Sequence, residues 1–227
     1  MDASAAVVFV AVILARLIVP LSIPRFPLPG ILGAIVLDAV DHTVFEAFGE
    51  VDLAAYQSYD KALDIYYLTI AYASTIRNWD RGAAFAVGRA LWYHRLVGVA
   101  LFEFLGSRWL LLVFPNAFEY YFALIEGIKV SRNPFRLTGR QVAAIAAAIW
   151  IGIKLPQEWW IHIAGLDLTD IVKVHLFEAP LTSPWGEAIA NRPLVALGLL
   201  AAGSVLVLVV ILVFRRLPPG DWEPTLA

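Results

Sequence analysis

The sequence predicts an all-α fold, a polytopic transmembrane helical bundle of about seven helices with the N-terminus outside and the C-terminus in the cytoplasm, and three observations carry that expectation. Of the 227 residues, 60% are hydrophobic and 16% charged, whereas a soluble domain carries about 25% charged residues and cannot hide so much apolar surface. Several apolar stretches approach the roughly 20 residues that cross a bilayer. Basic residues gather in alternate segments between those stretches, which gives the bundle a direction.

The first predicted helix covers 3–20. Only Asp2 precedes it as a charged residue, so the basic start of a cleaved signal is missing, and Pro20, Pro24, Pro27 and Pro29 follow where a small-residue cleavage site would stand. It reads as a retained helix. The proline-rich link 21–29 ends it, because proline lacks an amide proton and restricts the residue before it. A second helix follows at 30–48. The polar segment 49–61 leads into a third at 59–78, and Asp80-Arg81-Gly82 makes the next turn. The fourth covers 83–104 and the fifth 108–129, with Pro115 as a kink. Asn133-Pro134 and Gly139 mark 130–140 as the strongest loop, and the sixth helix spans 141–163 with a second kink at Pro156. Between 164 and 193 the chain is amphipathic. Leu168, Ile171, Val172, His175 and Leu176 form an apolar face for the outer membrane surface, with Trp159, Trp160 and Trp185 at headgroup depth. The seventh helix, 194–214, is aliphatic and meets no ionisable residue before Arg215 and Arg216. Residues 1–214 thus read as one transmembrane domain containing an exoplasmic interfacial segment, 164–193, and 215–227 as a short cytoplasmic tail.

Placing Arg215 and Arg216 in the cytoplasm puts Arg25, Arg77, Arg81, Lys129, Arg132, Arg136 and Arg140 there as well. The opposite segments hold only Lys61, Arg108, Lys173 and Arg192. This asymmetry favours N-out and C-in, which requires an odd number of crossings. The formal net charge of -2 offers no cationic surface for nucleic acid. With no cysteine, thiol chemistry and cysteine-held metal centres are excluded. No glycine-rich nucleotide loop, HExxH helix or haem attachment motif is present.

Charge at membrane depth costs about 2.5–3.5 kcal/mol per residue on insertion scales, so such residues face protein or water and mark functional sites. Asp38, Asp41, His42 and Glu46 share one face of the second helix at its outer end. Asp60, Lys61 and Asp64 open the third, and Lys154, Glu158 and His162 follow one another at i+4 steps on the sixth. Deeper, Arg95 and Glu119 sit at matching depth on the fourth and fifth helices and are expected to pair. Asn116, Glu119, Tyr120 and Glu126 make a polar stripe that places the fifth helix inside the bundle, while the seventh, without one, lies outside.

The Asp38-x-x-Asp41 spacing followed by Asp60-x-x-x-Asp64 faintly resembles the paired-aspartate motifs of CDP-alcohol phosphotransferases, which bind divalent ions. It departs from them with His42 in place of glycine and with no Ala-Arg pair following. A seven-helix architecture also resembles the zinc hydrolases of the ceramidase and adiponectin-receptor type, but His42, His94, His162 and His175 do not supply that family's paired histidines on the last helix. No residue role is carried over from either.

The residues themselves lead to the expectation of a membrane-embedded enzyme that acts on a lipid or amphiphile through an exoplasmic-side Asp/His pocket. Asp38, Asp41, Asp60 and Asp64 would hold a divalent cation (Mg, Mn, Ca or Zn). Asp38, Asp41, His42, Asp64, Glu158 and His162 form the catalytic set, and Lys61, Lys154, Arg95 and Glu119 contact the substrate. Two alternatives use the same groups. One is a small proton-coupled transporter with Arg95 and Glu119 as relay, and the other a structural or assembly subunit of a membrane complex. The implied partners are membrane lipids and either a second copy or another membrane protein, without nucleic acid, in the plasma (inner) membrane of a prokaryote.

Overall fold

The computed structural model describes residues 3–48, 53–107, 109–130, 132–163 and 168–216. Every regular element among them is helical, so the all-α class holds. Helix α1 (Ala3–Ile18) runs into a 3-10 turn (Val19–Ser22), and α2 (Pro27–Phe48) begins three residues earlier than its glycine suggests. Pro27 and Pro29 fall in its first turn, where a missing amide proton costs nothing. Helix α3 (Leu53–Asn78) also starts earlier, and α4 (Ala83–Leu105) ends on Gly106 in the left-handed region.

The predicted fifth helix is two pieces, α5 (Trp109–Val113) and α6 (Ala117–Lys129), separated at Pro115. The break frees the Phe114 carbonyl, which accepts a hydrogen bond from Arg95 Nη1 at 3.2 Å. A capping box, in which Thr138 and Gln141 bond each other's backbone, starts α7 (Gly139–Ile149). Two single-turn π-helices, Trp150–Lys154 and Trp159–Ile163, flank α8 (Leu155–Glu158). The first ends just before Pro156, and Lys154 and Glu158 in this interrupted stretch are both buried. The amphipathic segment supplies α9 (Leu168–His175) and α10 (Trp185–Asn191), and α11 (Pro193–Arg216) closes the chain.

Helix α6 is the hub. It packs against α2, α3, α4 and α7, and Phe118, Tyr121, Phe122 and Ile125 on it are fully buried with Ile31, Leu68 and Val142 around them. As the polar stripe implied, this helix is interior, whereas α11 carries a row of exposed leucines. Beside this apolar core, several charged side chains are buried and many aliphatic ones are exposed. Arg16, Asp41, Asp64, Arg95, Glu119, Glu126, Lys154 and Glu158 are buried, and Val7, Val10, Leu14, Ile18, Val36, Val97, Ile151 and Leu200 are exposed. Among the described residues no single helix is long and apolar enough to cross a membrane. Trp185–Asn191 together with Pro193–Val205 meets that criterion, but with a bend of 99° between the two.

Candidate functional site

Arg16 organises the site. Its guanidinium, on α1, reaches four carboxylates, hydrogen bonding to Asp38 and Asp41 of α2 and to Asp60 of α3, the last at 3.1 Å, and pairing with Asp64 at 3.7 Å. The Asp38 and Asp41 pair stands one turn apart, so a single side chain from the neighbouring helix can meet both. Tyr66 ties α3 to α1 by donating to the Leu17 carbonyl at 2.9 Å. Beyond Asp60 and Asp64, Lys61 contributes an ammonium at 2.6 Å from Asp60 and 3.9 Å from Asp64. Arg95 completes the group from α4 with a 3.0 Å bond to Asp64.

One oxygen each from Asp38, Asp60 and Asp64 lies within 4.8 Å of the others. The three differ in access. The Asp38 side chain is 30% exposed, Asp60 17% and Asp64 6%, so the group is open on the Asp38 side and closed at Asp64. Asp64 Oδ1 is buried without a hydrogen bond. An all-oxygen donor set of this kind matches magnesium, manganese or calcium, and among the described residues no histidine joins it to favour zinc. Asp41, expected as a fourth ligand, is not one of the three and is fully buried against Arg16.

A second centre lies next to the first. Lys154 donates to Glu119 Oε1 at 2.5 Å and stands over the Tyr120 ring at 4.4 Å. The other Glu119 oxygen accepts from Tyr67 and, at 2.8 Å, from Asn116 Nδ2. Glu158 Oε1 accepts from the Asn116 backbone amide at 3.5 Å. Arg95 joins the centres, since it bonds Asp64 directly and lies within electrostatic range of both Glu158 and Glu119. The expected Arg95 and Glu119 pair is therefore replaced by two others, Arg95 with Asp64 and Lys154 with Glu119. The π-turn before Pro156 is what delivers Lys154 to α6.

Across both centres the formal charges are four positive, on Arg16, Lys61, Arg95 and Lys154, against six negative, on Asp38, Asp41, Asp60, Asp64, Glu119 and Glu158. The excess of two negative charges, in a region of low dielectric, favours uptake of either protons or a cation.

Of the residues expected at the site, Asp38, Asp41, Asp60, Lys61, Asp64 and Arg95 come together in one group, and Glu119, Lys154 and Glu158 in the adjoining one. The side chains of His42, Glu46 and His162 lie outside the described residues, as do Arg108 and the tail beyond 216. His94 is set apart, its ring 4.6 Å from Phe114 and 4.4 Å from Trp150. Reading the sequence missed Arg16 and Tyr67 as members. Arg16 had a signal, being the lone ionisable residue in an apolar stretch, and a charge so placed requires a partner. Tyr67 had none, because nothing in the sequence separates it from the neighbouring Tyr66 and Tyr72.

No family model, curated protein or solved structure matches the chain.

Proposed function

We propose that the chain is a polytopic membrane protein of the prokaryotic plasma membrane, N-out and C-in, and an enzyme acting on the polar head of a lipid or amphiphile with a divalent cation held by Asp38, Asp60 and Asp64. Membrane placement is supported by the exposed aliphatic side chains and the charged groups buried within the bundle. Water would penalise the exposed aliphatic face of α1, where Val7, Val10, Leu14 and Ile18 recur at helical spacing, whereas hydrocarbon accepts it without cost. The single domain of 1–214, the interfacial segment 164–193 and the tail 215–227 follow from the same reading.

The observation that carries the enzymatic reading is the approach of three carboxylate oxygens from two helices to within 4.8 Å of one another, inside a network with more acids than bases. Asp38, Asp60 and Asp64 would hold a divalent ion there, which would supply Lewis-acid polarisation of an ester or phosphoryl oxygen. Arg16 holds the aspartates in place, Lys61 on the rim draws in an anionic head, and Glu158, with His42 and His162, supplies the proton exchange. Lys154 pairs with Glu119 and fixes its position beside the cluster. Membrane lipids are the partners implied, with assembly into a homo-oligomer or with another membrane protein compatible with the exposed α11.

A second reading rests on the continuity of the two centres through Arg95, which suits a proton-coupled carrier. Manganese binding followed by electron paramagnetic resonance on purified protein separates them. The enzymatic reading expects one bound ion, weakened about tenfold or more by Asp38→Asn and by Asp64→Asn, since each removes a charged ligand, and unchanged in Asp80→Asn. Absence of binding sinks it. Uptake of a solute into vesicles without its chemical change, lost in Glu119→Gln, selects the carrier.

A further inference from the structure

Away from the ionic core, α9, α10 and the loop between them close on a small apolar nucleus of Phe177, Trp185 and Ala188. Lys173 is buried there, donating to the Leu181 carbonyl at 3.0 Å and lying 5.2 Å from the Trp185 ring centre, so its role is to fasten the loop. Beside this nucleus is a cavity of about 190 Å³ whose polar walls are Glu178, Ser183, Glu187, Asn191 and Arg192. Pockets for drug-sized molecules start near 300 Å³, so this one suits a small polar group.

Glu178 has a φ of +49°. This left-handed residue belongs to the turn that ends α9, where the Ala179 amide bonds back to the Lys173 carbonyl at 3.1 Å. The turn sets the Glu178 carboxylate against Arg192, whose Nη2 donates to it. That pair leaves further guanidinium donors free for an anion, and Glu187 forms no ion pair among the described residues. A cation acceptor and a forked anion donor thus face one small space. Arg192 also leads directly into α11, where Leu194, Leu197 and Leu200 are exposed at 80%, 60% and 68%. A molecule whose head occupies the cavity would lay an apolar tail along those leucines.

From these placements we propose that the cavity binds the headgroup of a zwitterionic amphiphile carrying both a primary ammonium and a phosphate, with Glu187 taking the ammonium and Arg192 the phosphate. The site rests on the membrane placement proposed above but not on the aspartate cluster.

The test is native mass spectrometry of the delipidated full chain in detergent, offered dioleoyl phosphatidylethanolamine, phosphatidylglycerol or phosphatidylcholine. Wild type is expected to retain one phosphatidylethanolamine in preference to both others. Glu187→Gln and Arg192→Gln each weaken that retention about tenfold, the loss expected for one charge-assisted hydrogen bond. Asp64→Asn leaves it intact, so the site survives or fails independently of the cation reading. Equal retention of the three lipids, or an unchanged preference in folded Glu187→Gln, overturns the proposal. Soluble O-phosphoethanolamine competing as strongly as the lipid overturns the amphiphile assignment. Retention of no lipid at all overturns the proposal and leaves the membrane placement to be judged by carbonate extraction.

Discussion

Arg16 bonds aspartates on two different helices, so its removal would leave carboxylates buried with too little positive charge around them. Truncating one partner of a buried ionic group costs about 3–5 kcal/mol, most of it the penalty on the charge left behind. Arg16→Gln is therefore expected to lose about that much stability, read as a lowered unfolding midpoint by tryptophan fluorescence in detergent. Arg16→Lys should recover only part, because a single ammonium cannot span carboxylates on both sides as a planar fork does. An unchanged midpoint in Arg16→Gln would contradict the network. The same logic applies to Lys154, the ion-pair partner of Glu119. Lys154→Met strands a buried acid and should be more damaging than the double variant Lys154→Met/Glu119→Gln, in which no charge is left unpaired; equal damage would disprove the coupling. Spacing alone placed Asp38, Asp41, Asp60 and Asp64 on inward faces. It could not assign partners, because which cation meets which acid depends on helix packing rather than on helix phase.

Gly98 shows how one element positions another. A Cβ there would stand 2.1 Å from the Phe114 Cβ, so α4 approaches the α5–α6 break only because this residue has no side chain. Gly98→Ala is expected to cost about 1–3 kcal/mol as overpacking and to lengthen the Arg95 bond to the Phe114 carbonyl. The effect would appear as a lower unfolding midpoint together with weaker manganese binding; a neutral substitution would mean that the two helices separate freely. On α7, Thr138→Ala removes the capping box and should cost about 1 kcal/mol without altering cation binding, since Thr138 is remote from the acids; a change in manganese affinity would link the cap to the site. Both prolines were legible as interruptions, since the missing amide proton is a local property. What each interruption becomes is not local. Pro115 separates two helices, while Pro156 is accommodated by π-turns that bring Lys154 to Glu119.

For the whole molecule, the proposed membrane placement rests on the buried charged side chains and the exposed aliphatic ones. A C-terminal fluorescent protein fusion should glow and an alkaline phosphatase fusion at the same end should be inactive, and the protein should resist extraction by alkaline carbonate. Release into the carbonate supernatant, or an active phosphatase fusion, would refute the placement or its direction. By itself the sequence determined the helical class, the interior position of α6, the peripheral position of α11 and the inward acidic faces, because each follows from periodicity and composition along one segment. Only the tertiary structure decided that Arg16 is the centre of the acidic group, that Arg95 and Glu119 take different partners, and that three carboxylates converge within 4.8 Å. Those outcomes depend on distances between segments far apart in the chain, and electrostatic energy falls with distance in space, which sequence spacing does not measure.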